Sequence, residues 1–214
     1  FGDNLLKAME SGAIYEHMRL LCRAAKRVVL LDAFARPETI ALFMKMMELE
    51  EDEVFVHKHE YVDPDFAVTM APSKESFEIG VLKKLSEGKR LAIPCTSKGA
   101  ARRIHKMIQK KFPELEIRVY DSDEPLDGCA NELWGGLDCV IYSPTISSGV
   151  SFDPKHFDQI CLYGSRVPGL CYNDFLQMTH RIRNPKNKTL FTWIDKTHYK
   201  APTDIVRIRE KKSK

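Results

Sequence analysis

Apolar residues stand at helical spacing in the first part of the chain. Between residues 4 and 27 they recur every turn or so, at Leu5, Leu6, Met9, Ile14, Met18, Leu21 and Cys22. This spacing predicts one or two amphipathic helices with a break near Ser11 and Gly12. The apolar run 28–31 predicts a strand that ends at Asp32 and Ala33, and Pro37 suits the first turn of another helix.

From residue 53 onward, short apolar runs alternate with amphipathic stretches. The runs that predict strands are 54–61, 91–93, 115–120, 137–142, 157–163 and 190–194. Amphipathic stretches predict helices that begin at Ser73 and Ser97, and shorter helices are predicted at 129–134 and 171–183. Strands that alternate with helices indicate an α/β fold, with a parallel sheet and helices on both faces.

The acidic stretch 48–53 predicts a solvated linker, and we place a domain boundary there. The predicted divisions are a leading segment, residues 1–50, a main domain, residues 51–205, and a charged tail, residues 206–214. Because the chain starts at Phe1 and opens inside an apparent helix, we expect it to be a piece of a longer protein.

Composition narrows the class of protein only a little. The 214 residues are 43% hydrophobic and 29% charged with a net charge of +3, which allows a nucleic-acid partner without demanding one. Six cysteines without a Cys-x-x-Cys pair are typical of reduced thiols in an intracellular protein. The sequence has no apolar run of membrane-spanning length, so we expect no membrane partner.

The first candidate for a phosphate-binding site is the segment 94–99, between a predicted strand and a predicted helix. Thr96 or Ser97 can cap that helix, and its free N–H groups beside Lys98 would suit a phosphate. Ordinary helix capping explains the same residues. The Gly-x-x-x-x-Gly-Lys-Ser/Thr spacing of a phosphate-binding loop is absent from the sequence.

Two further segments carry groups that bind phosphate. The stretch 144–153 follows a predicted strand, offers the hydroxyls of Thr145, Ser147, Ser148 and Ser151, and contains Gly149 for close backbone approach. Gln177 and Arg181 are four residues apart and would share one face of the last helix, with Arg183 nearby. A polar surface loop and arginines that complement a helix dipole are the plainer interpretations.

Metal binding is not predicted. The pair His57 and His59 would share one face of a strand, but no further ligands stand at a suitable spacing.

Together these segments resemble the second RecA-like lobe of a superfamily 2 helicase. The residues in these segments are most similar to the motifs of viral replication origin-binding proteins of the herpesvirus type and of large DNA viruses. These proteins combine an Asp-Ala at the end of motif III, a Gly-Val-Ser-Phe motif V and a Gln-x-x-x-Arg-x-Arg motif VI, which here stand at 32–33, 149–152 and 177–183. The commoner motif VI has a glycine where this chain has His180, and two residues between the arginines where it has one.

The resemblance implies roles that are hypotheses for this chain. Residues 1–50 would be a remnant of the first RecA-like lobe. The implied roles are catalytic for Arg181, Arg183 and Gln177, nucleotide-facing for Gly149, Ser151 and Asp153, nucleic-acid-binding for Thr96, Ser97, Lys98 and Thr145, and coupling for Asp32 and Ala33. Either arginine could contact the γ-phosphate.

The resemblance also implies partners. ATP and Mg²⁺ would bind the intact protein, chiefly through a first lobe outside this chain, so neither is expected to bind this fragment tightly. Nucleic acid, in the form of single-stranded DNA, and that missing first lobe would be the partners, in the nucleus or cytoplasm of an infected cell if the source is viral.

Two alternatives stay open at this stage. One is a RecA-like lobe without activity that binds a protein or a nucleic acid. The other is a small-molecule α/β enzyme, such as a sugar-nucleotide transferase, for which Asp153 is the nearby candidate for a reactive carboxylate.

Overall fold

A six-stranded parallel sheet forms the centre of the molecule. The computed structural model describes residues 13–31, 37–57, 67–146, 149–165 and 172–195. The strands lie in the order β1-β6-β5-β2-β4-β3, and every pairing is parallel. They are β1 (Ala67–Met70), β2 (Leu91–Pro94), β3 (Ile117–Tyr120), β4 (Cys139–Tyr142), β5 (Gln159–Gly164) and β6 (Thr189–Ile194). The predicted α/β fold is confirmed.

The helices follow the predicted alternation. They are α1 (Ala13–Ala24), α2 (Pro37–Met47), α3 (Lys74–Ser86), α4 (Lys98–Lys111), α5 (Ala130–Leu133) and α6 (Tyr172–Thr179), and a short 3₁₀ helix spans Glu51–Glu53. Ser73 and Ser97 cap α3 and α4 by accepting hydrogen bonds from backbone N–H groups in the first turn. Within the described residues, no helix is both long and apolar enough to cross a membrane.

The core lies on both faces of the sheet because the central strands are buried on both sides. Alternate strand residues, such as Ile93 and Ile141, pack against α3 and α4. Their neighbours, such as Ala92 and Val140, face α5, α6 and a group of buried aromatic side chains that includes Trp134. Parallel strands that are buried on both faces consist of continuous apolar runs, so these strands could be predicted from the sequence.

The strand predicted at 28–31 is wrong, and so is the described part of the strand predicted at 54–61. Residues 28–31 lie outside any strand and are largely exposed. Residues 54–57 also lie outside any strand, while 58–61 fall outside the described residues. A strand needs a neighbour for its backbone hydrogen bonds, and neither run pairs with a strand among the described residues. The first strand of the sheet is instead Ala67–Met70, an edge strand that is exposed along its length. Because neither of its faces is buried, its sequence lacks the pattern of apolar residues that predicts a strand.

The last helix is shorter than predicted. It ends at Thr179, so Arg181 and Arg183 follow the helix, and Arg181 does not share a helical face with Gln177. The N–H of Phe152 donates to the carbonyl of Arg181 at 2.7 Å, and the N–H of Arg183 donates to the carbonyl of Phe152 at 2.9 Å. Long-range pairing therefore takes the place of the last predicted helical turn.

Helices α1 and α2 pack on each other in a small separate cluster centred on Cys22 and Met46. Several large apolar side chains of this segment are exposed, namely Leu20, Leu21, Val29, Leu30 and Leu31. The segment thus buries only part of its apolar surface within the described residues. The placement of a domain boundary at residues 50–51 stays a prediction.

Candidate functional site

The loop after β4 lies beside the segment that follows α6. Phe152 and Ile182 form an isolated parallel bridge, which joins two stretches about 30 residues apart in the chain. Phe152 and Ile182 are both buried, so the pairing is anchored in the core. Gly149 is exposed with a φ of 94°, a left-handed conformation that favours glycine. The structure therefore brings together the loop of Gly149 and the arginine segment.

Arg181 is held against this loop, and none of the ion pairs between described residues includes it. One Nη of its guanidinium lies 3.4 Å from the carbonyl of Val150, and its Nε is buried without a hydrogen-bond partner among the described residues. Burial lowers the pKa of Arg181 from its ordinary value, and the nearby charge of Arg183 acts in the same direction. Arginine nevertheless keeps its proton in proteins, so this half-buried positive charge has no acidic partner within the part of the chain that the structure describes.

Arg183 is exposed and begins a chain of polar contacts. Its Nε donates to the hydroxyl of Ser151 at 3.2 Å, and that hydroxyl donates to Oδ1 of Asp153 at 3.0 Å. The pKa of Asp153 is lowered, chiefly by hydrogen bonds from Asn131 and Ser151 and further by the charge of Arg183. The carboxylate is therefore ionised at neutral pH.

Two asparagines complete this network, and sequence reasoning missed both. The side chain of Asn131, on α5, accepts from the N–H of Asp153 at 2.9 Å and donates to its Oδ2 at 3.2 Å. Asn184 donates from Nδ2 to the carbonyl of Asp153 at 2.7 Å. Asn184 could have been noticed because it adjoins Arg183, but Asn131 stands 22 positions from Asp153 and carries no local signal.

The start of α4 forms a second polar group at the same edge of the sheet. Thr96 is buried, and its hydroxyl lies 2.6 Å from the carbonyl and 2.9 Å from the hydroxyl of Ser165, at the end of β5. The hydroxyl of Ser97 lies 3.2 Å from that of Ser165 while it caps the helix. The Thr96 hydroxyl is thus engaged with Ser165, and a nucleic-acid contact by Thr96 stays a prediction.

Lys98 is already paired with a carboxylate. It forms an ion pair with Asp123, which also lies 2.9 Å from Nη2 of Arg102. Arg102 in turn donates from Nε to the buried carboxylate of Asp121 at 2.6 Å. Hydrogen bonds from Arg102 and from the N–H groups of residues 123 and 124 hold the pKa of Asp121 at about 2. Asp121 thus fixes the loop that carries Asp123 over the start of α4.

The remaining candidates divide into three groups. Thr145 is exposed beyond the end of β4, and its hydroxyl accepts from that of Ser143 at 3.2 Å. Gln177 is half-buried near the end of α6, where its carbonyl accepts from the N–H of His180 at 3.2 Å. Four candidates lie outside the described residues, namely Asp32, Ala33, Ser147 and Ser148.

His180 lies between the helix end and Arg181. Burial lowers its pKa below the ordinary value, and the charges of Arg183 and Arg181 lower it further. The imidazole is therefore neutral at neutral pH, and the positive charge of this segment resides on the two arginines.

Viral proteins are among the relatives of this chain. A protein of African swine fever virus (isolate Pig/Kenya/KEN-50/1950), named for a helicase/primase complex, is 33% identical over 177 residues, which are 79% of this chain and 16% of the viral protein. The replication origin-binding protein of human herpesvirus 6A (strain Uganda-1102) is 28% identical over 99 residues, which are 46% of this chain and 12% of that protein. The chain therefore spans only about a sixth of the first relative's length.

Solved structures share the fold. A variant of S. cerevisiae Dbp5, in complex with a variant of Gle1 and IP6, superposes with a TM-score of 0.50 at 15% sequence identity, covering 79% of this chain and 44% of that one. The six-stranded parallel sheet and its helices have the RecA-like fold that is found in helicase domains.

The family comparison covers most of the chain and includes every part of the site described above. Residues 24–202 match the family described as "Origin of replication binding protein", and this chain belongs to that family.

Proposed function

We propose that this chain is the second RecA-like lobe of an ATP-driven helicase that acts in viral DNA replication. In the longer protein, a preceding lobe holds ATP and Mg²⁺, and the Arg181 and Arg183 segment faces the γ-phosphate. Family membership and the names of the viral relatives support the replication role. The nucleotide contact is supported by the chemistry of the site.

The half-buried guanidinium of Arg181, whose Nε has no hydrogen-bond partner among the described residues, is the observation that carries this proposal. A half-buried guanidinium without a carboxylate partner among the described residues is costly unless an anion meets it. A transferring phosphoryl group is such an anion, and a guanidinium stabilises the charge that spreads over its oxygens. Gly149 lies in the adjoining loop, where the absence of a side chain allows close approach.

Nucleic acid would be gripped through its backbone phosphates at the edge that carries the start of α4 and the end of β4. Ser97, Lys98 and Thr145 supply a helix N-terminus, a cation and an exposed hydroxyl for such contacts. Phosphate contacts carry little sequence information, so origin specificity would require another part of the longer protein.

The decisive experiment measures DNA-stimulated ATP hydrolysis by the full-length protein with Arg181→Ala. Removal of the guanidinium should lower the rate by about 10³-fold, because the arginine stabilises the transition state. Affinity for single-stranded DNA should stay within about twofold of wild type, because the proposed grip lies elsewhere on the lobe.

Arg118→Ala is the matched control, because it removes an exposed arginine from the edge strand β3. This control should hydrolyse ATP at the wild-type rate. If Arg181→Ala also does so, the arginine does not act on the nucleotide, and an interaction module becomes the better interpretation.

A further inference from the structure

The contacts of Asn131, on α5, single it out beside the loop that carries Gly149 and Asp153. Its amide makes two hydrogen bonds to one residue, one with the backbone N–H and one with the carboxylate of Asp153. Each oxygen of that carboxylate then has its own donor, since Oδ1 accepts from Ser151. Two separate donors fix the rotation of the carboxylate as well as its position.

The helix that carries Asn131 is itself anchored in the core. Ala130 and Trp134 are buried on either side of it in sequence. The ring of Trp134 stacks on Tyr142 with centroids 5.6 Å apart and lies 5.8 Å from the ring of Phe152. Asn131 therefore projects from a rigid platform toward Asp153, which directly follows the buried Phe152.

The contacts continue from Asn131 to the arginine segment. Asp153 accepts from Ser151, and Ser151 accepts from Nε of Arg183, so four polar side chains form one connected series. Asn131 and Asp153 are both exposed, and hydrogen bonds between exposed groups add little to the stability of a fold. Their specific geometry is better explained by a need to orient the loop.

We propose that Asn131 is a positioning residue that orients Asp153, Ser151 and Arg183 toward the nucleotide. The inference rests on the proposed function, because it assumes that this loop faces ATP in the longer protein. Asn131 itself touches no reacting atom. Its loss should misplace the guanidinium, and a misplaced catalytic group lowers turnover more than it weakens substrate binding.

Two substitutions in the full-length protein test the inference. Asn131→Ala removes both hydrogen bonds and should lower kcat for ATP by about tenfold while KM changes by less than about threefold. Asn131→Asp keeps the acceptor for the N–H of Asp153 but sets a second carboxylate against the first. Like charges at this distance raise the pKa of one carboxyl, so that it takes up a proton at a higher pH than an isolated carboxyl does.

A pH profile separates positioning from a merely structural role. In Asn131→Asp, the two carboxyls share a proton below the raised pKa, and this proton restores the hydrogen bond to Asp153. Above the raised pKa the proton is lost and the hydrogen bond is broken. The activity of Asn131→Asp relative to wild type should therefore rise as pH falls from about 7 to about 5, whereas that of Asn131→Ala should stay low throughout. Recovery of Asn131→Asp also shows that the variant is folded.

Glu132→Ala, on the same helix, is the matched control and should keep the wild-type kcat. Wild-type kinetics in both Asn131 variants, beside a slow Arg181→Ala enzyme, would overturn the inference and leave the proposed function intact. A pH-independent loss in Asn131→Asp equal to that of Asn131→Ala would also contradict it. A wild-type rate in Arg181→Ala would contradict the proposed function instead.

Discussion

At the scale of single residues, charge pairing decides which groups are available to a ligand. Arg181 has no carboxylate partner among the described residues, whereas Lys98 is paired with Asp123. Hydrogen bonding to Lys98 and the charges of Lys98 and Arg102 lower the pKa of Asp123, so this carboxylate is ionised at neutral pH. A nucleic-acid phosphate that approaches Lys98 must therefore compete with Asp123.

The substitution Asp123→Asn tests this competition on the chain itself. It keeps the shape of the side chain but removes the competing charge, so affinity for a single-stranded DNA oligonucleotide should rise. Exposed ion pairs contribute at most about 1 kcal/mol, so the increase should be about two- to fivefold. Fluorescence anisotropy at several salt concentrations measures it, because release of counterions makes phosphate contacts salt-dependent.

Asp127→Asn is the control for this experiment, since it changes the net charge equally and lies in the same loop. An equal gain in both variants would mean that overall charge, and not the Lys98 site, sets the affinity.

At the scale of the elements, the packing of α3 on the sheet is tight at one glycine. A Cβ on Gly80 would lie 2.8 Å from two ring carbons of Phe191, on β6. That ring is stacked on Phe77 with centroids 5.2 Å apart, which limits its movement. The close approach of helix and strand therefore depends on the missing side chain.

Gly80→Ala should destabilise the chain despite the higher helix propensity of alanine. Propensity favours alanine by about 1 kcal/mol, but overpacking costs about 1–3 kcal/mol. We expect a net loss of about 1 kcal/mol in the free energy of unfolding, measured by chemical denaturation.

Gly99→Ala makes the same change in α4, where a Cβ would meet no atom within 4 Å. This variant should be as stable as wild type or more stable by up to about 1 kcal/mol. Stabilisation of similar size in both variants would show that Phe191 moves aside freely.

At the scale of the whole molecule, the arginine site is one half of the proposed ATP site. The sequence contains no Gly-x-x-x-x-Gly-Lys-Ser/Thr loop to cradle the phosphates and position Mg²⁺. The chain alone should therefore show no ATP hydrolysis above background, with or without DNA.

A coupled phosphate-release assay on the purified chain measures this, with the Arg181→Ala chain as the control for contaminating activity. Turnover that disappears in the Arg181→Ala chain would contradict the division of the site between two lobes.

The sequence was sufficient to locate a strand or a helix where the local pattern of residues and the burial of the element agree. The continuous apolar runs at 91–94 and 139–142 located central strands, and Ser73 and Ser97 marked helix starts because capping uses groups only a few residues apart. The same reasoning failed at 28–31, where an apolar run has no neighbouring strand among the described residues, and at β1, where an edge strand lacks a burial pattern.

By itself, then, the sequence determined the type and order of most elements and the residue types of the arginine segment, since both depend on local chemistry. Only the tertiary structure decided that residues 150–152 lie beside 181–183, that Asn131 holds Asp153, and that Thr96 and Lys98 already have partners. These contacts join positions that are far apart in the chain. Every buried polar group needs a hydrogen-bond partner, but the local sequence does not show which distant residue will supply it.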